Sequence, residues 1–258
     1  MTRKNVFAPV LFTVFVLISM ESVSAGLFSR TVVKSYIGPE SPLFNGQDLS
    51  GWVTVGGSPK IDGWEAVDGM IHRTTGRGDI VTEKEYRNFV LDFRWKIAPG
   101  GNSGLKYKFS KLGNDWLGCE FQLIDDIKNS EGKRPKHGTG DLYDMIPAEN
   151  REVLPVGEWN HSRVVVNGGR IQHWLNGKLT VDVTVGSPTW EKAFAESKFK
   201  DHPEFGKIAD GKILLQDHGD EVWFKDITIR EIQTGSVRKM FPVLRNKPGI
   251  LRRLKIHR

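Results

Sequence analysis

One cysteine, Cys119, occurs in 258 residues. A lone thiol excludes an internal disulfide framework and any Cys-rich metal knuckle. It lies between apolar neighbours in a strand-like run and reads as a buried structural thiol. No His-x-x-x-His pair and no Asp-rich loop marks a metal site. There is no Gly-x-Ser-x-Gly elbow and no phosphate-binding loop, so serine-hydrolase and nucleotide chemistry lack their usual anchors. Helical periodicity is scarce, and no internal repeat is visible.

Long apolar runs are also missing, with one exception. Phe7 to Met20 is apolar apart from Pro9, Thr13 and Ser19, follows Arg3 and Lys4, and leads to Val23-Ser24-Ala25. About fourteen residues are too few to span a bilayer comfortably, and small residues follow at the spacing a signal peptidase reads. The expectation is a signal peptide over 1–25, cleaved after Ala25, and a protein exported to the periplasm or beyond; an uncleaved anchor is the alternative. After cleavage about 233 residues remain, within the range of a single all-β domain.

The net charge of +6 misleads. Residues 233–258 hold eight Lys/Arg and no acid (Arg238, Lys239, Arg245, Lys247, Arg252, Arg253, Lys255, Arg258), whereas residues 26–232 hold 27 basic and 30 acidic residues. The body is slightly acidic, which gives no support to nucleic-acid binding. The basicity sits in an expected tail that either is a solvated extension or docks on an anionic surface.

Residues 26–40 read as a linker, and the body reads as strands. From Arg87 to Ile97, Phe89, Leu91, Phe93, Trp95 and Ile97 point one way while Val90, Asp92, Arg94 and Lys96 point the other, the period-2 signature of a strand with one core face. Leu105–Phe109, Leu117–Asp125, Arg163–Asn167, Arg170–Leu175, Lys178–Val185, Lys212–Asp217 and Val222–Ile232 repeat the pattern. Pro99-Gly100-Gly101-Asn102, Asn167-Gly168-Gly169 and Asn176-Gly177 are turn signals, so residues 163–185 read as a three-stranded meander. One helix is expected, around Thr189–Phe199. The whole predicts an antiparallel β-sandwich or jelly roll. The long segment from Ile127 to Trp159 is the kind of loop that carries function.

Alternation also sorts the polar residues. Glu120 and Gln122 share a face opposite Cys119, Phe121 and Leu123; Lys106 and Lys108 share one; Gln216 and His218 share another; Asp92, Arg94 and Lys96 form a fourth row. If a curved sheet collects such rows, the result is a groove of amides and carboxylates suited to sugar hydroxyls. The bland reading is a solvated sheet face. Glu120 and Asp125 have the residue types of a glycosidase pair but, five apart in a strand, fall on opposite faces. Of the eight tryptophans, Trp95 belongs to the core, while Trp52, Trp64, Trp116, Trp159, Trp174 and Trp190 sit near turns or strand ends, where packing or sugar stacking is their role.

Several segments together resemble the 3-keto-disaccharide hydrolase domain family. They are Leu43-Phe44-Asn45-Gly46 with Leu49-Ser50-Gly51-Trp52, Gly101-Asn102-Ser103-Gly104-Leu105, residues 120–126, Thr139-Gly140-Asp141-Leu142-Tyr143-Asp144, Gly157-Glu158-Trp159-Asn160, His173-Trp174-Leu175-Asn176-Gly177, Leu215-Gln216-Asp217-His218-Gly219 and residues 222–227. They span residues 41–232. The resemblance implies a concanavalin-like jelly roll and cleavage of sugars oxidised at carbon 3. It implies a base (Glu120 or His218), an electrophile for an enolate (Lys106), an acid (Tyr143 or His218), and substrate contacts from Asn102, Gln122, Gln216, Asp126 and Trp174. A divalent cation is the cofactor it allows, with Glu120, Gln122 and His218 as first ligands. A non-catalytic carbohydrate-binding sandwich and an envelope interaction protein using its basic tail are the rival readings.

Overall fold

The computed structural model describes residues 16–17, 23–24 and 27–242, with side chains described from 35 to 233. Two compact units emerge, residues 1–36 with 233–258, and residues 37–232. In the first, β1 (Val16–Leu17) and β2 (Val23–Ser24) pair antiparallel with β3 (Leu27–Ile37). The rest of the expected leader and residues 243–258 of the expected tail lie outside the described residues. Residues 27–37, expected as linker, form strand β3 because Thr31, Val32 and Val33 favour extended backbone. The last strand likewise continues past residue 232 and ends at Pro242, whose ring offers no N–H to a ladder.

The second unit is a jelly-roll sandwich of two antiparallel sheets. Its strands are β4 (Ser41–Pro42), β5 (Trp52–Thr54), β6 (Trp64–Val67), β7 (Met70–Arg73), β8 (Ile80–Thr82), β9 (Phe89–Ile97), β10 (Asn102–Leu112), β11 (Asp115–Ile124), β12 (Asn160–Asn167), β13 (Arg170–Leu175), β14 (Lys178–Thr184), β15 (Lys212–Leu215) and, as far as residue 232, β16 (Val222–Pro242). One sheet runs β16-β9-β12-β13-β14, with β4 and β7 also paired to β16 and β6 to β7; the other runs β11-β10-β15-β8-β5. The expected meander is present. Its second turn has Asn176 at φ 47° and Gly177 at φ 84°, the two positive values that a two-residue hairpin matched to strand twist requires.

The core lies between the sheets. The alternate apolar residues of β9 meet Leu105, Tyr107, Phe121 and Leu123, with Phe93 edge-on to Phe121 at 5.7 Å and Phe89 edge-on to Tyr107 at 6.4 Å. A polar tie crosses this core: Tyr107 Oη and His173 Nε2 are 2.8 Å apart, and His173 Nδ1 lies 3.0 Å from the Gly140 carbonyl oxygen. The one α-helix among the described residues, α1 (Pro188–Glu196), is capped by Ser187, whose side chain accepts from the Trp190 N–H, and it buries Trp190 and Ala193. It stops before the expected Phe199 because the Ser197 hydroxyl turns back to the Phe194 carbonyl at 2.9 Å.

The long loop after β11 is organised by carboxylates. Asp125 accepts from the N–H groups of Gly100, Ile127 and Lys128. Asp141 accepts from those of Gly138 and Ala148. These bonds satisfy the backbone of a segment without sheet partners and fold it back over the end of β11, where the Tyr143 N–H donates to the Glu120 carbonyl at 3.1 Å.

Candidate active site

Sheet register assembles the site. In the five-stranded sheet Val53 pairs with Val81, Val81 with Leu214, Leu214 with Lys106 and Lys106 with Glu120. Directly opposed residues point the same way, so these five form one row on the face turned away from the core. The adjoining row contains Gly104, paired with Gln122, and Gln216, whose N–H donates to the Gly104 carbonyl at 2.9 Å. Glu120, Lys106, Gln122 and Gln216, far apart in the chain, therefore share one patch, and Asn102 lies beyond Gly104 on the same strand.

Glycine at 104 is a condition of that patch. A Cβ there would stand 2.3 Å from Glu120 Oε1 and 3.1 Å from Gln216 Oε1. The Glu120 carboxylate lies in the space a side chain would fill. With its amide nitrogen turned toward Glu120, Gln122 donates to Oε1 at 3.0 Å and to the Ser103 carbonyl at 3.1 Å. The other carboxylate oxygen faces Lys106 Nζ at 3.6 Å. Glu120 is buried, and that burial pushes its pKa above the ordinary carboxylate value, against the pull of Lys106 and Lys198. Gln216 Oε1 is buried and accepts no hydrogen bond within the protein, an acceptor left free in a polar patch.

Of three residues that alternation did not single out, two, Lys198 and Asp79, act on Glu120 by charge, and the third, His137, packs on Tyr143. Lys198, just after α1, reaches over the Tyr143 ring at 4.3 Å from its centroid. Much of its surface is open, yet the protein packed around its ammonium lowers its pKa, opposed by Glu120. Asp79, at the head of β8, is raised by burial and feels Lys106 and His218. His137 is buried against Tyr143 and held between Glu131 and Asp144, with Nε2 3.0 Å from Asp144 Oδ1. Tyr143 is pushed up to about 12, first by burial and then by Glu131 and Glu120, so it stays a neutral phenol. Lys198 and Asp79 come from segments without strand periodicity; only the tertiary fold brings them here.

His218 is exposed at the margin, lining a cleft of about 390 Å³ with Arg73, Arg77 and Asp217. It reaches Glu120 through the charge of Asp79 and makes no direct contact with it. Four expectations are corrected. Trp174 lies opposite Arg163, which lies opposite Asp92, so all three belong to the outer face of the other sheet, remote from Glu120. Asp92, Arg94 and Lys96 share that face; Asp92 binds His161, Arg163 and Arg230. Asp126 spends its carboxylate on the Thr139 N–H at 2.9 Å and closes the loop. Lys108 does not stand beside Lys106: a bulge between Tyr107 and Ser110, with Lys108 at φ 51°, turns it inward, and its ammonium donates to the Ile208 carbonyl.

The donor set does not fit a bound divalent cation. Among the described residues no three His, Cys, Asp or Glu side chains converge, and Glu120 already faces an ammonium.

A jelly roll whose exposed sheet face gathers a buried carboxylate, an ammonium and free amides defines a carbohydrate-active protein of the glycoside-hydrolase type. The chain belongs to the 3-keto-alpha-glucoside-1,2-lyase-like domain family, which matches residues 39–230. It is 29% identical over 222 residues to a 3-keto-disaccharide hydrolase of Bacteroides thetaiotaomicron, covering 73% of this chain and 77% of that one. Two solved structures from Parabacteroides distasonis, both of candidate glycosyl hydrolases, are similar. One is 36% identical with a TM-score of 0.69, covering 75% of this chain and 94% of that one. The other is 29% identical with a TM-score of 0.59, covering 75% and 100%.

Proposed function

We propose that the Glu120 face cleaves the glycosidic bond of 3-keto-glycosides or 3-keto-disaccharides by β-elimination, followed by addition of water. The observation that carries this reading is a buried carboxylate of raised pKa set against a lysine ammonium in one polar patch. A ketone at C3 acidifies the proton on C2. Glu120 takes that proton, and the C–H electrons become the C2–C3 enolate, its charge on the C3 oxygen. Lys106 neutralises that oxygen, with Lys198 as a second cation nearby. Collapse of the enolate expels the C1 oxygen, and a neutral acid protonates it as it leaves; Tyr143 is that acid, because its raised pKa keeps its proton. Water adding to C1, with a proton returning to C2, completes a net hydrolysis. Asn102, Gln122 and Gln216 bind the hydroxyls, the free Gln216 Oε1 accepting from one of them. His218 acts at the margin through Asp79. With the N-terminal leader read as a signal peptide, this chemistry takes place outside the cytoplasm.

The test is release of 4-nitrophenol from 4-nitrophenyl 3-keto-glucoside. Glu120→Gln is expected to lower kcat by roughly 10²–10⁴-fold, the usual range for a general base, with binding retained. Binding without release by the unaltered protein points instead to a carbohydrate-binding module.

A further inference from the structure

Trp116 stands on the same strand face as Glu120, because residues 116, 118, 120 and 122 of β11 alternate with the core residues 117, 119, 121 and 123. It is 44% exposed. Its ring lies nearly parallel to that of Phe109, with centroids 5.5 Å apart and planes at 17°. Strict alternation would put Phe109 in the core with Leu105 and Tyr107. The bulge at Lys108 reverses it, and Phe109 instead joins Val53, Val81 and Leu214 in an apolar cluster separate from the sandwich core. Three members of that cluster are the row that ends in Lys106 and Glu120. Between Trp116 and Glu120 sits Gly118, where a Cβ would press on the Tyr107 carbonyl at 2.9 Å and Phe109 Cα at 3.0 Å. The strip between the indole and the carboxylate therefore carries no side chain from β11.

The result is an aromatic ledge continuous with the polar patch. Four residues of strand, about 13 Å at ~3.3 Å each, separate the Trp116 and Glu120 backbones. That span, floored by Phe109 over Gly118, is on the scale of one further sugar ring. An exposed ring backed by a second ring presents one rigid apolar face, which suits the C–H face of a pyranose, while the amides on the far side of Glu120 suit the hydroxyls of the ring that lies there.

We propose that the Trp116–Phe109 ledge is a binding subsite for the second, unoxidised pyranose ring of a saccharide whose 3-keto ring lies at Glu120. The proposal rests on the functional reading above and adds a selection for disaccharides over short-aglycone glycosides.

The test compares a 3-keto-disaccharide with methyl 3-keto-glucoside on the full chain. Trp116→Ala is expected to raise KM for the disaccharide about tenfold, the effect of losing one aromatic stacking partner, and to leave KM for the methyl glycoside unchanged. Trp116→Phe is expected to keep most of the preference. Equal KM values in wild type and Trp116→Ala, or an equal rise for both substrates, overturn the subsite and leave the activity standing. If the wild-type protein cleaves neither substrate, the activity reading fails and calorimetry with the 3-keto-disaccharide decides the subsite. Weaker binding by Trp116→Ala then supports it. Unchanged binding, or none by the wild-type chain, overturns it.

Discussion

Glu120 is buried, with the Lys106 ammonium and the Gln122 amide at its two carboxylate oxygens and the charge of Lys198 nearby. The position of that carboxylate depends on the absence of an atom. Gly104 sits beneath it, and any Cβ would overlap Glu120 Oε1 at 2.3 Å while crowding Gln216. Gly104→Ala should therefore displace the carboxylate and lower kcat/KM by at least tenfold, since small misplacements of a reacting group are costly. The fold should survive, because the carboxylate at the end of a flexible side chain can move. Steady-state kinetics with a melting curve checks both halves of that expectation. The alternation of residues 117–126 was enough to place Glu120 and Gln122 together on a non-core face. Nothing in the sequence around Asp79 or Lys198 has a period, so their approach to Glu120 was invisible before the chain was folded.

At the scale of a strand, β10 shows where pattern reading fails. The run Leu105-Lys106-Tyr107-Lys108-Phe109 alternates without a break, and it predicts Lys108 beside Lys106 with Phe109 inside. One extra residue at the bulge reverses the facing of everything after it, which buries Lys108 and gives the site its aromatic ledge. The bulge is packed against Gly211, where a Cβ would lie 2.6 Å from both Cα and C of Lys108 and 2.9 Å from the Phe109 nitrogen. These are backbone atoms that cannot swing aside. Gly211→Ala should cost about 1–3 kcal/mol, lowering the melting temperature by several degrees in a domain of this size. Scanning calorimetry reads that loss directly. Strands β9, β11, β12, β13, β14 and β15 agree with their sequence patterns to within a few residues, whereas the short β4 to β8 carry too little pattern to be singled out and β16 runs on to Pro242. Trp174, a substrate contact by resemblance, lies on the other sheet, which a sequence pattern cannot assign.

Across the whole domain, the two sheets are tied by His173. Its Nε2 faces the Tyr107 hydroxyl and its Nδ1 the Gly140 carbonyl, so the neutral ring serves as acceptor at one nitrogen and donor at the other. Burial drives its pKa down to about 4, only partly opposed by the Gly140 carbonyl. A folded pKa below the unfolded 6.5 means that the unfolded chain takes up this proton first. His173 therefore supports the fold fully above pH 6.5, and that support is lost as the pH falls toward 4, by about 3 kcal/mol in all at about 1.4 kcal/mol per unit. Melting temperatures measured between pH 7 and 4 should fall, and a His173→Gln variant should show a shallower fall.

The account turns on removal of the C2 proton by Glu120, and exchange of that proton with solvent reports it before any bond to the leaving group breaks. In deuterium oxide, NMR of a 3-keto-glycoside with the wild-type protein should show deuterium entering C2 of the substrate or appearing in the product, and Glu120→Gln should slow the labelling and the cleavage together, by the roughly 10²–10⁴-fold expected for loss of a general base. Cleavage by the wild-type protein with C2 still protiated, or undiminished labelling by Glu120→Gln, would contradict it.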